Sequence, residues 1–346
     1  MNQVAPKVTV IIPNYNHARY LPQRIETVLN QSYSDFEVII LDDYSTDNSR
    51  EVIERYKKND ERIRVVYNDQ NSGTTFKQWN KGFNLAKGEY IWIAESDDYA
   101  DLYFLEKLIA LLDADAHVGL AYCDSWHVFE EKNSIKRNTE LYSELDSNLW
   151  AANFVIDGIY LVKKFMSYRN IIPNASAVLI RRSIIQQVEP ANEKMRLVGD
   201  WLFWASIMAV SKVAFVVEPL NFYRHHHNNV RSRTLVNGVY YLELSKLLGI
   251  IKKYGEPDRF FSGIMVDSIL EMWLKSMIEY DIPLSRHYMI YKNMIGLSPE
   301  IKRKTKFQLN RFLFSNNFSG LRQVMGDGIV YPFLRRLKGN DFGIKK

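Results

Sequence analysis

The apolar residues of the first hundred positions form short continuous runs that alternate with amphipathic stretches. Predominantly apolar runs occupy residues 8–12, 36–41, 63–67 and 90–93, interrupted only by Thr9, Glu37 and Arg64. Apolar residues at helical spacing occur in 20–30, 52–56 and 74–86. A short run of consecutive apolar residues is typical of a strand buried on both faces of a parallel sheet. Strands that alternate with helices of about a dozen residues predict βαβ units. We therefore expect an α/β fold around a mostly parallel sheet.

The second part of the chain predicts further strands and then helices. Residues 120–129, 177–180, 213–217 and 219–224 have the apolar character of strands, and the polar residues 130–147 predict an irregular loop. Gly199 and Asp200 open a markedly apolar helical stretch at 202–210. From about residue 240 the apolar spacing is helical throughout, so a helical region follows the sheet.

Acidic residues follow two of the predicted strands. The second strand ends in Asp42 and Asp43, and the fourth ends in Glu95, Asp97 and Asp98. In open α/β sheets the ligand lies beyond the carboxyl ends of the strands, so these carboxylates are expected to converge on one cleft. Adjacent carboxylates repel each other unless a hard divalent cation or ligand hydroxyls lie between them. A solvated turn, or an N-cap for the following helix, remains the alternative for an isolated acidic pair.

Composition narrows the class of protein. Of the 346 residues, 47% are hydrophobic, which supplies a sizeable core, and the single Cys123 excludes an internal disulfide. Because the chain has a single cysteine and no signal-peptide pattern at residues 1–7, we expect a cytoplasmic protein. No apolar run approaches the length of a membrane span.

Charge is distributed unevenly along the chain. The net charge is +5, but residues 301–346 contain eleven Lys or Arg and two Asp, an excess of +9, which leaves +5 − 9 = −4 for residues 1–300. A basic end of this kind is compatible with an anionic surface, a membrane or a nucleic acid, or with a merely solvated tail.

Seven segments, in this order, resemble the family 2 glycosyltransferases, which are inverting enzymes that use nucleotide sugars. The segments are VTVIIPNYN, DDYSTDNS, FKQWNKG, AKGEYIWIAESDDYAD, NASAVLIRRS, GDWLFW and YRHHHNNVRS. The resemblance covers about residues 6–235. It implies a GT-A fold, which is Rossmann-like with a mostly parallel central sheet flanked by helices. We divide this catalytic domain, residues 1–235, into a nucleotide-binding half (1–115) and an acceptor half (116–235), followed by a helical, basic C-terminal region (236–346).

The resemblance implies roles for the donor-side residues. Asp43 would accept a hydrogen bond from a uracil-type base, beside the loop that contains Pro13 and Tyr15. Asp97 would contact ribose. Asp98 would bind the Mn²⁺ or Mg²⁺ that bridges the two phosphates and neutralises charge on the leaving diphosphate. For Asp43, capping of the next helix is the alternative.

Two positions depart from the family pattern. The family often has Asp where this chain has Glu95, so the resemblance assigns no direct metal role to Glu95. The family usually has an arginine on the helix before this strand, where Lys77 is the nearest cation. Lys77 is a point charge rather than a bidentate fork, and it either binds phosphate or is a solvated helix residue.

The resemblance also implies a catalytic base and an acceptor region. Asp200 matches the family's general base, which takes the proton of the attacking acceptor hydroxyl. Apolar Trp201, Phe203 and Trp204 nearby are expected to desolvate Asp200, although a plain N-cap is the structural alternative. His226 is in register with the family's histidine near the diphosphate or metal, and its neighbours His225 and His227 are expected to be rim residues. The acceptor is expected near Asn174, Ser176 and Arg181.

The resemblance therefore predicts transfer of a sugar, most simply from a UDP-sugar, to an acceptor hydroxyl with inversion. The acceptor is expected to be a glycan or a lipid-linked glycan in cell-surface polysaccharide synthesis. One alternative is a sugar-phosphate nucleotidyltransferase, but the loop at residues 13–17 lacks the glycine-rich basic character such an enzyme needs. Another is a non-catalytic sugar-nucleotide-binding protein, against which the intact Asp43, Asp98 and Asp200 argue. Nucleic acid binding is not expected, because only the last stretch mixes cations with aromatics.

The C-terminal region suggests a membrane surface as a further partner. Residues 302–314 and 331–338 mix Lys and Arg with Phe and Leu and contain no acids. This composition suits a peripheral segment on the inner face of the plasma membrane. The alternative is that the aromatic rings pack internally while the charges face water.

Overall fold

The computed structural model describes residues 5–137, 139–225 and 234–326. A single ten-stranded sheet, with strands between Val8 and His225, forms the centre of the first part of the chain. The strands are β1 (Val8–Asn14), β2 (Phe36–Asp42), β3 (Ile63–Tyr67), β4 (Tyr90–Ile93), β5 (Tyr99–Ala100), β6 (Val118–Phe129), β7 (Ser134–Arg137), β8 (Phe154–Asp157), β9 (Val178–Arg181) and β10 (Lys212–His225).

Helices connect the strands and then continue alone. They are α1 (Leu21–Leu29), α2 (Ser49–Asn59), α3 (Thr75–Leu85), α4 (Phe104–Ala114), α5 (Thr139–Asp146), α6 (Gly158–Lys164), α7 (Arg182–Ile185), α8 (Gly199–Met208), α9 (Val239–Ile251), α10 (Arg259–Glu279), α11 (Leu284–Leu297) and α12 (Pro299–Gln323). The predicted α/β class is confirmed, and so is the helical character of the C-terminal region up to residue 326, where the described part of the chain ends.

The order of the strands explains where the acidic turns meet. The sheet runs β3-β2-β1-β4-β9-β6-β10-β5, with β7 added on β6 and β8 on β10. Strands β3, β2, β1 and β4 are parallel, and so are β6 and β10. Strand β9 lies between these two groups and is antiparallel to both β4 and β6. The carboxyl ends of β1, β2 and β4 therefore share one edge with the residues that lead into β9.

Burial of both faces accounts for the continuous apolar runs. All seven residues of β1 are buried. Alternate side chains point to opposite faces, so Val8, Val10 and Ile12 join one hydrophobic cluster while Ile11 joins the other. A strand covered on both sides has no solvent face, and this removes the alternation of apolar and polar residues.

Two local predictions from the sequence were wrong. Residues 130–147 were expected to form an irregular loop, but they contain β7 and α5; β7 pairs with β6, so its polar residues form an edge strand. Residues 213–217 and 219–224 were expected to be separate strands, but both lie in β10, with irregularities on either side of Pro219. Proline lacks the N–H that the ladder needs, so it interrupts the pairing without ending the strand.

The described residues form two compact units. The first takes those within Met1–Val162, Asn170–Lys194 and Gly199–His227, and the second those within Lys163–Arg169, Met195–Val198 and Asn228–Lys346. Within the second unit, the buried carboxylate of Glu243 on α9 accepts hydrogen bonds from three successive backbone N–H groups, those of Arg196, Leu197 and Val198, at 2.8, 2.9 and 3.1 Å. Within the described ranges, no helix has both the length and the apolar character needed to cross a bilayer.

Candidate active site

The loops after β1 and β2 form one side of the site. Asn14 is buried, and its Nδ2 donates to Oδ1 of Asp42 at 2.8 Å and to Oγ of Ser45 at 3.1 Å. Asn16 has a left-handed backbone (φ 57°), and its Oδ1 accepts the N–H of Thr46 at 2.7 Å. Asparagine tolerates that conformation better than most residues. The two loops are thus joined, and Tyr15 between them is 46% exposed.

Asp43 lies at the centre of a second group of hydrogen bonds. Its Oδ1 accepts from the side chains of Asn68 and Gln78 and from the N–H of Ser72 at 2.6, 2.9 and 2.8 Å. Its Oδ2 accepts from Ser72 Oγ at 2.8 Å and from Asn71 at 3.2 Å. Asp43 therefore fixes the segment that leads into α3. Its predicted contact with the donor base stays a prediction.

Lys77 lies on the exposed side of α3. Its Nζ donates to the backbone oxygen of Ser72 at 3.0 Å. The ammonium thus helps to close the same segment that Asp43 organises, and its predicted phosphate contact stays a prediction.

Asp98 connects three elements of the sheet. Its side chain is 2% exposed. Oδ2 accepts from Nδ2 of Asn174 at 2.8 Å and from Oγ of Ser176 at 2.7 Å, and Oδ1 accepts the N–H of Arg224 at 2.9 Å. The turn after β4 is thus held to the residues before β9 and to the end of β10.

Two arginines that the sequence analysis did not select lie against the acidic turn. Arg24 on α1 is fully buried, and its Nε donates to the backbone oxygen of Glu95 at 2.8 Å. Neither terminal nitrogen of Arg24 has a hydrogen-bond partner among the described residues. Arg224 donates from Nε to the backbone oxygen of Asp97 at 2.7 Å and from Nη1 to Glu130 at 2.8 Å. A charged residue on the otherwise apolar face of α1 was the signal that would have identified Arg24.

Burial and electrostatic repulsion raise the pKa values of Glu95 and Asp98. Desolvation, with the charge of Asp97 adding to it, raises the pKa of Glu95 to about 8 and also raises the pKa of Asp98 above its usual range. Burial lowers the pKa of Arg24 to about 10. The hydrogen bond from Trp79 Nε1 to Oε1 of Glu95, at 2.7 Å, opposes the upward shift of that carboxyl.

The acidic turn suits a divalent cation shared with a ligand rather than a closed metal site. Among the described residues, no group of three or more His, Cys, Asp and Glu is arranged to hold a metal. A carboxylate offers about four lone-pair sites, and Asp98 uses three of them for hydrogen bonds. The oxygen donors therefore fit a hard ion bound by one or two carboxylates and completed by phosphate and water.

Asp200 lies in the first turn of α8, as the sequence predicts. Its Oδ2 accepts a hydrogen bond from Nδ2 of Asn170 at 3.1 Å. Helix α8 is buried almost throughout, and the ring of Trp204 lies 5.6 Å from that of Trp79. Because Trp79 also binds Glu95, the helix that carries Asp200 is packed against a residue that contacts the acidic turn.

The structure corrects the placement of Arg181. It pairs with Tyr90 at the amino end of β4, and its guanidinium binds the backbone oxygens of Val118 and Leu112 and the side chain of Glu89. Strand β9 is antiparallel to β4, so the residues before β9 lie at the site and the residue that ends it lies at the far edge. The structure brings Asn174 and Ser176 to Asp98 and does not bring Arg181 there.

The histidine predicted near the diphosphate, His226, lies outside the described residues, and so does its neighbour His227. His225 ends β10, and its Nε2 lies 2.8 Å from Nδ1 of His127 on β6. His127 is buried, and desolvation, together with the nearby His225, lowers its pKa to about 4.

Comparisons with known sequences agree on one family. The sequence profile of glycosyl transferase family 2 matches residues 9–188. The glycosyltransferase GlyG of Streptococcus pneumoniae serotype 4 is 28% identical over 239 residues, 64% of this chain and 72% of that protein. The putative teichuronic acid biosynthesis glycosyltransferase TuaG of Bacillus subtilis is 40% identical over 112 residues, 32% of this chain and 44% of that protein.

Solved structures share the fold across most of the chain. Residues 1–349 of TarS from S. aureus, in complex with UDP-GlcNAc, match with a TM-score of 0.62 at 15% identity, covering 95% of this chain and 92% of that one. The mannosyltransferase PcManGT of Pyrobaculum calidifontis, in complex with GDP-Man and Mn²⁺, matches with a TM-score of 0.55 at 14% identity, covering 98% and 89%. This likeness confirms the predicted GT-A fold.

Proposed function

This chain belongs to glycosyl transferase family 2, and from that premise we propose that it transfers a sugar from a nucleotide-diphosphate sugar to an acceptor hydroxyl with inversion. The observation that carries the proposal is that helix α3 contacts all three groups. Gln78 binds Asp43, Trp79 binds Glu95 of the acidic turn, and the ring of Trp79 packs on Trp204 of the helix that carries Asp200. A UDP-sugar is the first donor to test, since TarS was solved with UDP-GlcNAc.

We assign the donor to the edge formed by the loops after β1, β2 and β4. The loop that contains Pro13 and Tyr15, the Asp43 carboxylate and Lys77 would surround the base and phosphates, and Asp97 would meet the ribose. His226 would lie near the diphosphate. The planar carboxylate of Asp43 would then pair with the base, and the carboxylate of Asp97 would accept hydrogen bonds from the ribose hydroxyls, as the chemistry of each requires.

Asp98 would hold Mn²⁺ or Mg²⁺ together with the diphosphate. The ion, when bound, would neutralise negative charge on the leaving group. The Mn²⁺ in the PcManGT complex supports testing manganese first. Within the chain itself, Arg24 and Arg224 hold the acidic turn in position through the backbone oxygens of Glu95 and Asp97.

Asp200 would act as the general base. The acceptor oxygen forms a bond to the anomeric carbon while the bond from that carbon to the diphosphate oxygen breaks, and the hydroxyl proton passes to a carboxylate oxygen of Asp200. The nucleoside diphosphate leaves with the electron pair of the broken bond. A single displacement of this kind inverts the configuration and needs only one carboxylate.

The acceptor side would be the segment before β9, around Asn174 and Ser176. We propose a glycan or lipid-linked glycan acceptor in cell-surface polysaccharide synthesis. Relatives named for such polymers support this class: TuaG, and the poly(ribitol-phosphate) beta-glucosyltransferase of Bacillus spizizenii, which is 37% identical over 95 residues, 27% of this chain and 15% of that protein.

A donor screen tests the proposal. The full chain is mixed with UDP-, GDP- and TDP-sugars in the presence of Mn²⁺, binding is measured by thermal shift, and turnover is measured as released nucleotide. We expect one nucleotide class to bind and to be turned over slowly even by hydrolysis. Binding with no turnover on any acceptor glycan would favour a non-catalytic sugar-nucleotide-binding protein, and no binding at all would contradict the proposal.

A further inference from the structure

We propose that the outward face of α12 is a docking surface for an anionic membrane. This face is defined here as the exposed positions between residues 302 and 315: Lys302, Arg303, Lys306, Phe307, Asn310, Arg311, Phe314 and Ser315. Pairs of these residues recur every four positions, so they form a continuous stripe that winds gradually around the helix. The inference concerns the second unit alone and does not depend on the proposed transfer reaction.

The inward face of the same helix is already partnered. Thr305 is fully buried, and Ile301, Leu309 and Phe312 are partly buried. Lys304, at the border of the two faces, forms an ion pair with Asp267 on α10 at 2.7 Å. The apolar packing of α12 on its own unit therefore rests on the inward residues. Of the outward residues, Arg311 and Ser315 also line a groove beside Asp267 and Glu271 on α10.

The outward face combines two features that rarely occur together on a solvated helix. Four of its eight residues are cations and none is an acid. The same face has two large aromatic rings, with Phe307 63% and Phe314 49% exposed. A solvated helix face usually alternates the signs of its charges and avoids exposed phenyl rings.

Charge decides which partner fits this surface. A second copy of the chain, packed face to face about a two-fold axis, would oppose four cations with four cations. A lipid surface with anionic headgroups meets the cations at the level of the headgroups and accepts the rings at the boundary of the acyl chains. The outward residues extend over about 20 Å of helix, so the cations can meet several headgroups at once.

Vesicle flotation of the full chain tests this proposal without any nucleotide sugar. Vesicles of phosphatidylcholine that contain phosphatidylglycerol should carry the protein upward at low salt and release it at high salt, and vesicles of phosphatidylcholine alone should carry much less. Each cation near an anionic leaflet strengthens binding by about fivefold. The double substitution Lys306→Gln/Arg311→Gln should therefore weaken partitioning by about 25-fold.

Matched controls distinguish binding through the outward face of α12 from nonspecific adsorption to vesicles. Phe307→Ser/Phe314→Ser should lose binding at both salt concentrations, whereas Phe260→Ser, which removes a ring that is 70% exposed on α10, should bind like the native chain. Lys246→Gln removes an exposed cation from α9 in the same unit and should also bind normally.

Three results would overturn the proposal. The native chain could fail to float with anionic vesicles at low salt, or the α12 variants could bind as well as the native chain. In the third case, Phe307→Ser/Phe314→Ser would lower the molar mass in light scattering while leaving flotation unchanged, and the face would then be an interface between copies. Far-UV circular dichroism of each variant checks that α12 remains folded.

Discussion

Asn170 donates a hydrogen bond from its side-chain amide to Asp200, with 3.1 Å between Nδ2 and Oδ2. The orientation of the amide is determined by a second contact, because Oδ1 of Asn170 accepts the backbone N–H of Ile172 at 3.1 Å. A backbone N–H can pair only with the oxygen of the amide, so the NH₂ group must face the carboxylate. Asp200 is therefore restrained by a donor whose own position is fixed.

Replacing Asp200 by Asn should separate catalysis from binding. Asn keeps the size and capping ability of Asp but cannot take a proton as a carboxylate. We expect turnover to fall by about 100-fold or more while donor affinity, measured by calorimetry, stays within a few fold of native. A nearly active variant would place the base elsewhere, and a variant that fails to fold would show that Asp200 acts only as a helix cap.

Asn170→Ala should act on turnover through the position of Asp200. Loss of a hydrogen bond to a carboxylate is worth about 1.5 kcal/mol, which is about tenfold in rate if it is felt in the transition state. We expect kcat to fall by about that factor with the KM for the donor unchanged. An equal change in donor KM, or no change in kcat at all, would contradict the positioning role.

Removal of metal should abolish turnover and leave the fold intact. We expect chelator to stop release of nucleotide and Mn²⁺ or Mg²⁺ to restore it, with little effect on the melting temperature of the free protein. Asp98→Ala should also stop turnover, but it leaves three buried donors unpaired, so it should destabilise the fold by about 3 kcal/mol as well. Full activity in chelator would assign Asp97 and Asp98 to ribose binding or to structure.

Two glycine substitutions should have opposite effects. A Cβ at Gly199, immediately before Asp200, would lie 2.5 Å from the buried ring of Phe76, so Gly199→Ala should cost about 1–3 kcal/mol and lower turnover by displacing the start of α8. A Cβ at Gly263 on α10 meets open space, so Gly263→Ala should stabilise by about 0.5–1 kcal/mol. Chemical denaturation of both variants measures the difference, and equal effects would contradict this account.

His127 should make the protein less stable in mild acid. Burial and the neighbouring His225 lower its pKa in the folded state to about 4, whereas an unfolded histidine titrates near 6.5. Between these values the unfolded chain binds the extra proton, so stability is complete above about pH 6.5 and falls as the pH drops toward 4. At about pH 5 the loss is about 2 kcal/mol.

The matched variant is His127→Gln, which lacks the titrating group. Its melting temperature should fall less than that of the native chain between about pH 7.5 and about pH 5. An identical pH dependence in both proteins would show that other groups cause the acid lability.

The sequence was sufficient to predict the elements whose pattern is set locally. The parallel strands, the acidic turns and α8 were predicted correctly, because apolar runs that end in charged residues indicate them. The antiparallel direction of β9 depends on its two neighbours, which no local pattern records. The family resemblance placed Arg181 with the acceptor, and the direction of β9 puts it at the opposite edge of the sheet. Strand β7 was missed because an edge strand can be polar, and Arg24 because its partner, Glu95, lies on a distant turn.

The pairing of Asn174 and Ser176 with Asp98 has a consequence for how enzymes of this architecture diversify. The segment that would face the acceptor also bears directly on the acid that would serve the donor. If these residues have the proposed roles, a substitution that adapts this segment to a new acceptor would alter donor affinity at the same time. Acceptor preference could then change without a change in donor affinity only through residues outside this pair. Engineering of a new specificity should therefore begin with the loops around Asn174 and Ser176 and leave both residues unchanged.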